Sequence, residues 1–140
     1  GVFAPDEPPL LGLVTLVGRA ILSGNAVVAV ASETAPLPAL SLAEALATSD
    51  LPGGVVNLLT GKRDELAPWL ASHMDVNAVL DASGDGDLHS TLAGGTAKNL
   101  KRVHDHSLSK ASDWFGADGE DPYRILDAVE WKTAWHPIGV

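Results

Sequence analysis

Apolar residues along the chain follow two patterns that alternate. Positions 10, 13, 14, 17 and 21 are Leu, Val or Ile at helical spacing behind two prolines, which is typical of a helix that begins at a proline. Residues 26–31 are an unbroken run of Ala and Val, which is typical of a strand covered on both faces. Further strands are predicted over 1–4, 55–59 and 78–80, and further helices over 36–48, 64–73 and 85–99. This alternation predicts an α/β fold, an open parallel sheet with helices on both faces.

The pattern changes at about residue 105. Residues 107–119 are polar and rich in Gly and Asp, so we expect residues 105–140 to be a polar loop followed by an aromatic tail. One short helix is predicted over 123–129. Three tryptophans, Trp114, Trp131 and Trp135, lie in this region. An aromatic tail docks either on its own domain or on a partner subunit, and docking on its own domain is the simpler expectation.

Composition excludes several classes of function. The 140 residues carry nine Lys and Arg against eighteen Asp and Glu, a formal net charge of −9, so we expect neither nucleic acid nor an anionic membrane as a partner. Cysteine is absent, which excludes disulfides, thiolate metal sites and a cysteine nucleophile within the chain. The longest apolar stretch, residues 10–22, is shorter than the roughly 20 residues that span a bilayer. With no signal-peptide pattern either, we expect a cytoplasmic protein.

Two nucleotide-binding motifs fail at the strand-to-helix turns, where open α/β sheets bind ligands. A G-x-G-x-x-G fingerprint over Gly84 and Gly86 would need a third glycine where His89 stands. A Walker A loop at Gly61 would need Ser or Thr where Arg63 stands. Neither motif is therefore complete.

A metal site is the other chemistry that single residues suggest. His104 and His106 alternate along the chain, and alternate residues of a strand point the same way. No third ligand stands at diagnostic spacing, and the acidic turn at 81–87 lacks the glycine and glutamate positions of a calcium loop. We therefore expect no bound metal.

A set of short segments carries a more specific signal than these motifs. It includes residues 1–5 (GVFAP), 9–11 (PLL), 51–57 (LPGGVVN), 72–76 (SHMDV) and 99–103 (NLKRV). In one register over residues 1 to about 103, these segments resemble the aldehyde dehydrogenase superfamily. The resemblance implies that residues 1–104 are a Rossmann-like part of an NAD(P)-binding domain. Because the chain starts at Gly1 and its single methionine is Met74, we also expect that it was cut from a longer protein.

The resemblance also implies cofactor-binding positions. Ser32 and Glu33 match the end of the family's K-P-S-E motif, whose lysine is absent here. Glu33 would hydrogen-bond ribose hydroxyls and disfavour a 2′-phosphate, so the cofactor would be NAD rather than NADP. Gly61 belongs to a matching Thr-Gly turn. Ser83 and Gly84 lie in the segment that corresponds to the family's pyrophosphate-contacting F-T-G-S turn, with the hydroxyl one position earlier here. With the lysine lost, we expect weak NAD binding.

The catalytic positions that the resemblance implies are altered. Glu7 stands where the family has the asparagine of its oxyanion hole, His106 stands where it has the general-base glutamate, and the cysteine nucleophile has no counterpart. We therefore expect a non-catalytic family member with a scaffolding or assembly role, whose partner is a second copy or a catalytic aldehyde dehydrogenase unit. Two alternatives stay open: a fragment of an active NAD-dependent aldehyde dehydrogenase that oxidises an aldehyde to a carboxylic acid, and a module that binds another small molecule in the same crevice.

Overall fold

Five strands form one parallel sheet in the residues that the computed structural model describes, 1–97 and 99–135. The strands are β1 (Val2–Phe3), β2 (Val27–Val30), β3 (Val56–Leu59), β4 (Ala78–Asp81) and β5 (Arg102–Asp105). Their spatial order is β3-β2-β1-β4-β5, and every neighbouring pair is parallel. The chain thus builds the sheet outward from β1 to one edge, crosses back, and builds the other edge. The carboxyl ends of β1 and β4 meet at this reversal of strand order.

Helical segments follow each of the strands. They are α1 (Pro9–Leu22), α2 (Leu37–Ala47), α3 (Arg63–Ser72), α4 (Gly86–Thr96) and the single turn α5 (Ala117–Glu120), with 3-10 helices over Ala111–Phe115 and Pro122–Ala128. The second 3-10 helix is the short helix predicted over 123–129. Helix α1 begins at Pro9, as predicted, because proline sacrifices no hydrogen bond in a first turn.

The core has one layer on each face of the sheet. On one face, Leu13 and Leu16 of α1 pack with Val2 and Ala29 of the strands. On the other face, α3 and α4 cover the sheet, and Phe3 is fully buried among their side chains. The predicted α/β fold with helices on both faces is therefore confirmed.

Strand β5 is the element that the sequence pattern missed. The sequence pattern predicted no strand over residues 102–105, yet they pair with β4, with His104 opposite Leu80. An edge strand has one neighbour and tolerates polar side chains, so β5 lacks the apolar run that marks β2. Three of its four residues are only half-buried.

The segment after β5 packs on α1. Trp114 is 3% exposed and lies in the same core layer as α1. The guanidinium Nη2 of Arg19 donates to the carbonyl of Gly119 at 2.6 Å. Trp131 and Trp135 are 86% and 92% exposed, so the expectation that the aromatic tail docks on its own domain is wrong for these two residues. Residues 136–140 of the tail lie outside the described residues.

None of the helices within residues 1–97 and 99–135 has the length and apolar character needed to cross a membrane.

Candidate functional site

Polar side chains form two groups at the carboxyl edge of the sheet. The turns after β1, β2 and β3 bring together the Asp6 cluster, which consists of Asp6, Ser32, Glu33 and Arg63. The turns after β4 and β5 bring together the Asp81 cluster, which consists of Asp81, Ser83, Gly84, His89 and Ser107. Because all five strands are parallel, every strand-to-helix turn opens on this edge.

The carboxylate of Asp6 is the centre of the first cluster. Its Oδ1 accepts hydrogen bonds from the Ser32 hydroxyl at 2.6 Å and from the Glu33 backbone N–H at 3.1 Å. The Arg63 guanidinium binds both carboxylate oxygens, at 2.9 Å for Oδ1 and 3.0 Å for Oδ2. This two-point geometry is the strong form of an arginine–carboxylate pair.

Arg63 is held on several sides. Its Nη2 donates to the carbonyl of Ala4 at 2.7 Å, and its backbone N–H donates to Oε2 of Glu33 at 3.0 Å. Glu33 therefore satisfies a backbone donor in the first turn of α3, where a negative charge is also favourable. Gly61 precedes this turn with φ of 155°, a conformation that only glycine adopts readily.

These contacts set the protonation state of Asp6. Burial alone would raise the pKa of its carboxyl group. Hydrogen bonds from Ser32 and Arg63, together with the positive charge of Arg63 and the Thr34 N–H, outweigh burial and lower the pKa. Asp6 is therefore a carboxylate at neutral pH.

Asp81 is the centre of the second cluster and is almost fully buried. Its Oδ1 accepts from the Ser83 hydroxyl at 2.7 Å and from the Ser83 backbone N–H at 3.0 Å. Nδ1 of His89 lies 3.0 Å from its Oδ2. Gly84, with φ of 72°, donates its N–H to the Ser107 hydroxyl at 3.1 Å.

A cleft of about 220 Å³ opens beside Asp81. It is lined by Asp81, Gly84, Asp85, Gly86, His89, Asp105 and Ser107. Oδ1 of Asp85 accepts from the N–H groups of Asp87 and Leu88 at the start of α4. A pyrophosphate bound here would need donors that Asp85 already occupies, and it would meet further carboxylates.

The structure therefore splits the five predicted cofactor residues. Ser32, Glu33 and Gly61 lie at the Asp6 cluster, whereas Ser83 and Gly84 lie at the Asp81 cluster. A dinucleotide would have to run along the carboxyl edge from one cluster to the other.

Glu7 and His106, the two residues predicted to replace catalytic groups of the family, lie in different environments. Glu7 is exposed in the turn before α1. His106 is 1% exposed, and its Nε2 lies 3.1 Å from Oδ2 of Asp127, in the second 3-10 helix. Burial lowers the pKa of His106 to about 4, with a further contribution from the Arg124 charge that exceeds the opposing effect of Asp127. Neutral His106 is thus enclosed by the segment that follows β5.

Both His104 and His106 approach Asp127, at 3.5 and 3.1 Å. Within the part of the chain that the structure describes, no three His, Asp or Glu side chains are arranged to hold a metal ion.

A second cleft, of about 250 Å³, lies at the opposite edge, among the amino ends of the strands. Asn25, Asn57 and Arg102 are among the residues that line it. It is separated from both clusters by the length of the strands.

Sequence reasoning did not identify Asp6, Arg63 and Asp81 as site residues. Asp6 and Arg63 are 57 positions apart, and only the strand order brings their turns together. The available signal was that each lies in a strand-to-helix turn of a predicted parallel sheet. Opposite charges in two such turns are candidates for a pair across the edge.

Comparison with known proteins gives a consistent result. A family described as the aldehyde dehydrogenase family matches residues 1–107. NADP/NAD-dependent aldehyde dehydrogenase PuuC of Escherichia coli (strain K12) is 32% identical over 132 residues, which cover 92% of this chain and 27% of that protein. Cytosolic aldehyde dehydrogenase 1 of Elephantulus edwardii is 34% identical over 104 residues, or 74% of this chain and 21% of that protein. The chain thus spans 21% and 27% of these two relatives.

Solved structures agree with this result. Apo indole-3-acetaldehyde dehydrogenase superposes with a TM-score of 0.71 at 32% identity, covering 78% of this chain and 26% of that chain. A structure of indole-3-acetaldehyde dehydrogenase complexed with NAD⁺ superposes with a TM-score of 0.70 at 32% identity, covering 76% of this chain and 21% of that chain.

Proposed function

This chain belongs to the aldehyde dehydrogenase family, and we propose that it is a nucleotide-binding unit of that family which does not oxidise aldehydes by itself and has an assembly role. The observation that carries the proposal is the state of the two altered catalytic positions. Glu7 offers a carboxylate where a developing oxyanion needs a donor. His106 is buried against Asp127, so it is closed off from a substrate that would need a base.

The missing nucleophile supports the same proposal. Thiol-dependent aldehyde oxidation needs a cysteine, and the 140 residues contain none. We expect purified chain to give no NAD-dependent oxidation of short aliphatic or aromatic aldehydes above a protein-free blank. Turnover above that blank, removed together with the chain by immunodepletion, would refute the non-catalytic proposal.

The cofactor part of the proposal rests on Glu33. Its side chain is exposed at the carboxyl edge and fits the hydroxyls of an NAD ribose, whereas the 2′-phosphate of NADP would be repelled. The start of α4 fits a pyrophosphate poorly, because the N–H groups of Asp87 and Leu88 already donate hydrogen bonds to Asp85. Glu33 would therefore orient the adenosine ribose, and the affinity for NAD would be weak. NAD supplies a hydride acceptor when it is bound.

Calorimetric titration tests the cofactor part. We expect saturable heat with NAD at millimolar concentration and weaker binding of NADP. Glu33→Ala should weaken NAD binding by about tenfold, the equivalent of roughly one hydrogen bond to a charged group. Glu44→Ala on the exposed face of α2 is the matched control and should not change the affinity. Equal affinities for the two variants, or no heat at millimolar NAD, would contradict the role of Glu33.

The assembly role rests on exposed apolar surface. Trp131 and Trp135 are almost fully exposed, and large exposed aromatics are enriched in interfaces. The proposed partner is a second copy or a catalytic aldehyde dehydrogenase unit. Sedimentation velocity should show self-association that Trp131→Ser and Trp135→Ser weaken, while the control Trp69→Ser on α3, 75% exposed, has no effect. A monomer that also fails to bind a catalytic family member would contradict this role.

The second candidate is a piece of an active NAD-dependent aldehyde dehydrogenase. The observation that favours it is coverage, since the chain spans 21% and 27% of two full-length relatives. The coding sequence on either side of the chain decides between the candidates. An in-frame, cysteine-bearing catalytic domain would favour the active enzyme.

A further inference from the structure

The environment of the Asp6 carboxylate has the composition of an anion-binding site. Oδ1 accepts from the Ser32 hydroxyl, the backbone N–H groups of Glu33 and Thr34, and the Arg63 guanidinium, at 2.6, 3.1, 3.5 and 2.9 Å. A hydroxyl, successive backbone N–H groups and a forked guanidinium are the donors with which proteins hold phosphate. Here the anion they hold is a side chain of the same protein.

We propose that these donors form an oxyanion cradle for a single phosphate group, and that Asp6 is its resident occupant. By filling the cradle, Asp6 excludes a phosphate group from these donors. Asp6 is therefore a specificity-determining residue rather than only half of a stabilising ion pair. The inference goes beyond the proposed function, because it does not depend on NAD binding.

The donors are fixed by contacts that do not involve Asp6. Ser32 and Arg63 are 2% and 7% exposed, and the Ser32 hydroxyl also accepts from the Ala35 N–H at 2.9 Å. Arg63 is anchored to the Ala4 carbonyl. Removing the carboxylate should thus leave a preorganised cavity with a buried positive charge that lacks its counter-ion, a strongly unfavourable state.

Solvent can reach the cradle, since the Asp6 side chain is 34% exposed. A small tetrahedral anion could therefore enter from the carboxyl edge once the carboxylate is gone. The neighbouring Glu33 carboxylate has its Oε2 held by the Arg63 backbone N–H, while the Arg63 guanidinium would face the anion. This arrangement favours one phosphate, either free or as a monoester.

The test uses the full 140-residue chain and Asp6→Ala, with thermal unfolding followed by circular dichroism. Sodium phosphate is titrated against sodium chloride at equal ionic strength. At phosphate concentrations about ten times the dissociation constant, the Tm of Asp6→Ala should rise by roughly 4 °C. The wild-type Tm should rise much less, because its cradle is filled and only the general stabilising effect of phosphate remains. A parallel titration with a nucleoside 2′-phosphate distinguishes a monoester from free phosphate as the preferred ligand.

Two further variants keep the test decisive. Asp6→Ala/Arg63→Gln lacks the guanidinium and should lose the phosphate-specific rise, while Asp6→Asn keeps the side-chain volume and should show a smaller rise. If Asp6→Ala does not fold in chloride, recovery of its helical signal in phosphate alone supports the cradle. The proposal is overturned if phosphate stabilises neither Asp6→Ala nor Asp6→Asn beyond chloride, or if it stabilises wild type or the double variant equally.

Discussion

Gly12 lies where α1 approaches Pro5, in the turn that carries Asp6. A Cβ atom at Gly12 would lie 2.2 Å from Cγ and 2.6 Å from Cδ of Pro5. Both distances are much shorter than van der Waals contact. Pro5 is buried and its pyrrolidine ring is rigid, so it cannot easily move aside. We therefore predict that Gly12→Ala destabilises the protein. The matched control is Gly18→Ala in the same helix, where a Cβ would meet nothing within 4 Å.

The magnitude follows from two opposing contributions. Forcing a methyl group into a packed core costs about 1–3 kcal/mol. Replacing glycine by alanine inside a helix recovers about 1 kcal/mol. Gly12→Ala should thus lower the free energy of unfolding by up to about 2 kcal/mol, while Gly18→Ala should raise it by about 0.5–1 kcal/mol.

Urea unfolding followed by circular dichroism at 222 nm, a helix-sensitive wavelength, measures both variants. The midpoint should fall for Gly12→Ala and rise for Gly18→Ala, with the slope unchanged. Equal midpoints for the two variants would show that Pro5 moves aside without cost, and the packing argument would be wrong.

Three other predictions concern single side chains. Asp85→Ala should lower stability by about 1 kcal/mol, measured by urea unfolding, because it removes the N-cap of α4; no change would mean that solvent replaces the cap. Gly95→Ala should lower the Tm and Gly94→Ala should raise it, because only the Cβ at Gly95 would meet Ala71, at 2.5 Å; parallel shifts would contradict this. Because the pKa of folded His106 is lowered from 6.5 to about 4, the unfolded chain binds the extra proton between these values, and stability should fall as the pH drops through that window. His106→Gln should flatten this decline. An identical pH profile of stability for variant and wild type would refute the lowered pKa of His106 as its cause.

Much of the fold could be predicted from residue pattern. The apolar run of β2 and the helical spacing of α1 are local signals, and both elements lie where the pattern predicts them. Strand β5 was missed because an edge strand needs no unbroken apolar run. In α4, Gly94 and Gly95 have the same unfavourable helix propensity, so the sequence does not distinguish them. The structure shows that, of the two, only Gly95 approaches Ala71.

The sequence could predict which turns hold the candidate site residues, but not which side chains they contact. Ser32, Glu33 and Ser83 lie in turns that follow the strands, the place where open α/β sheets bind ligands. Their partners were not predictable, since a turn does not specify which charge on another turn it will face. Asp6 occupies the donors around Ser32, and Asp81 occupies those of Ser83.

The sequence by itself determined the alternation of strands and helices, the family and the absence of a cysteine nucleophile, because these depend on residue identity and local spacing. Only the tertiary structure decided that Asp6 and Arg63 form a pair across β1, β2 and β3 and that His106 is enclosed beside Asp127. Such contacts depend on strand order and on the packing of distant segments. Each contact has one buried partner, Arg63 or His106, and no local pattern records that burial.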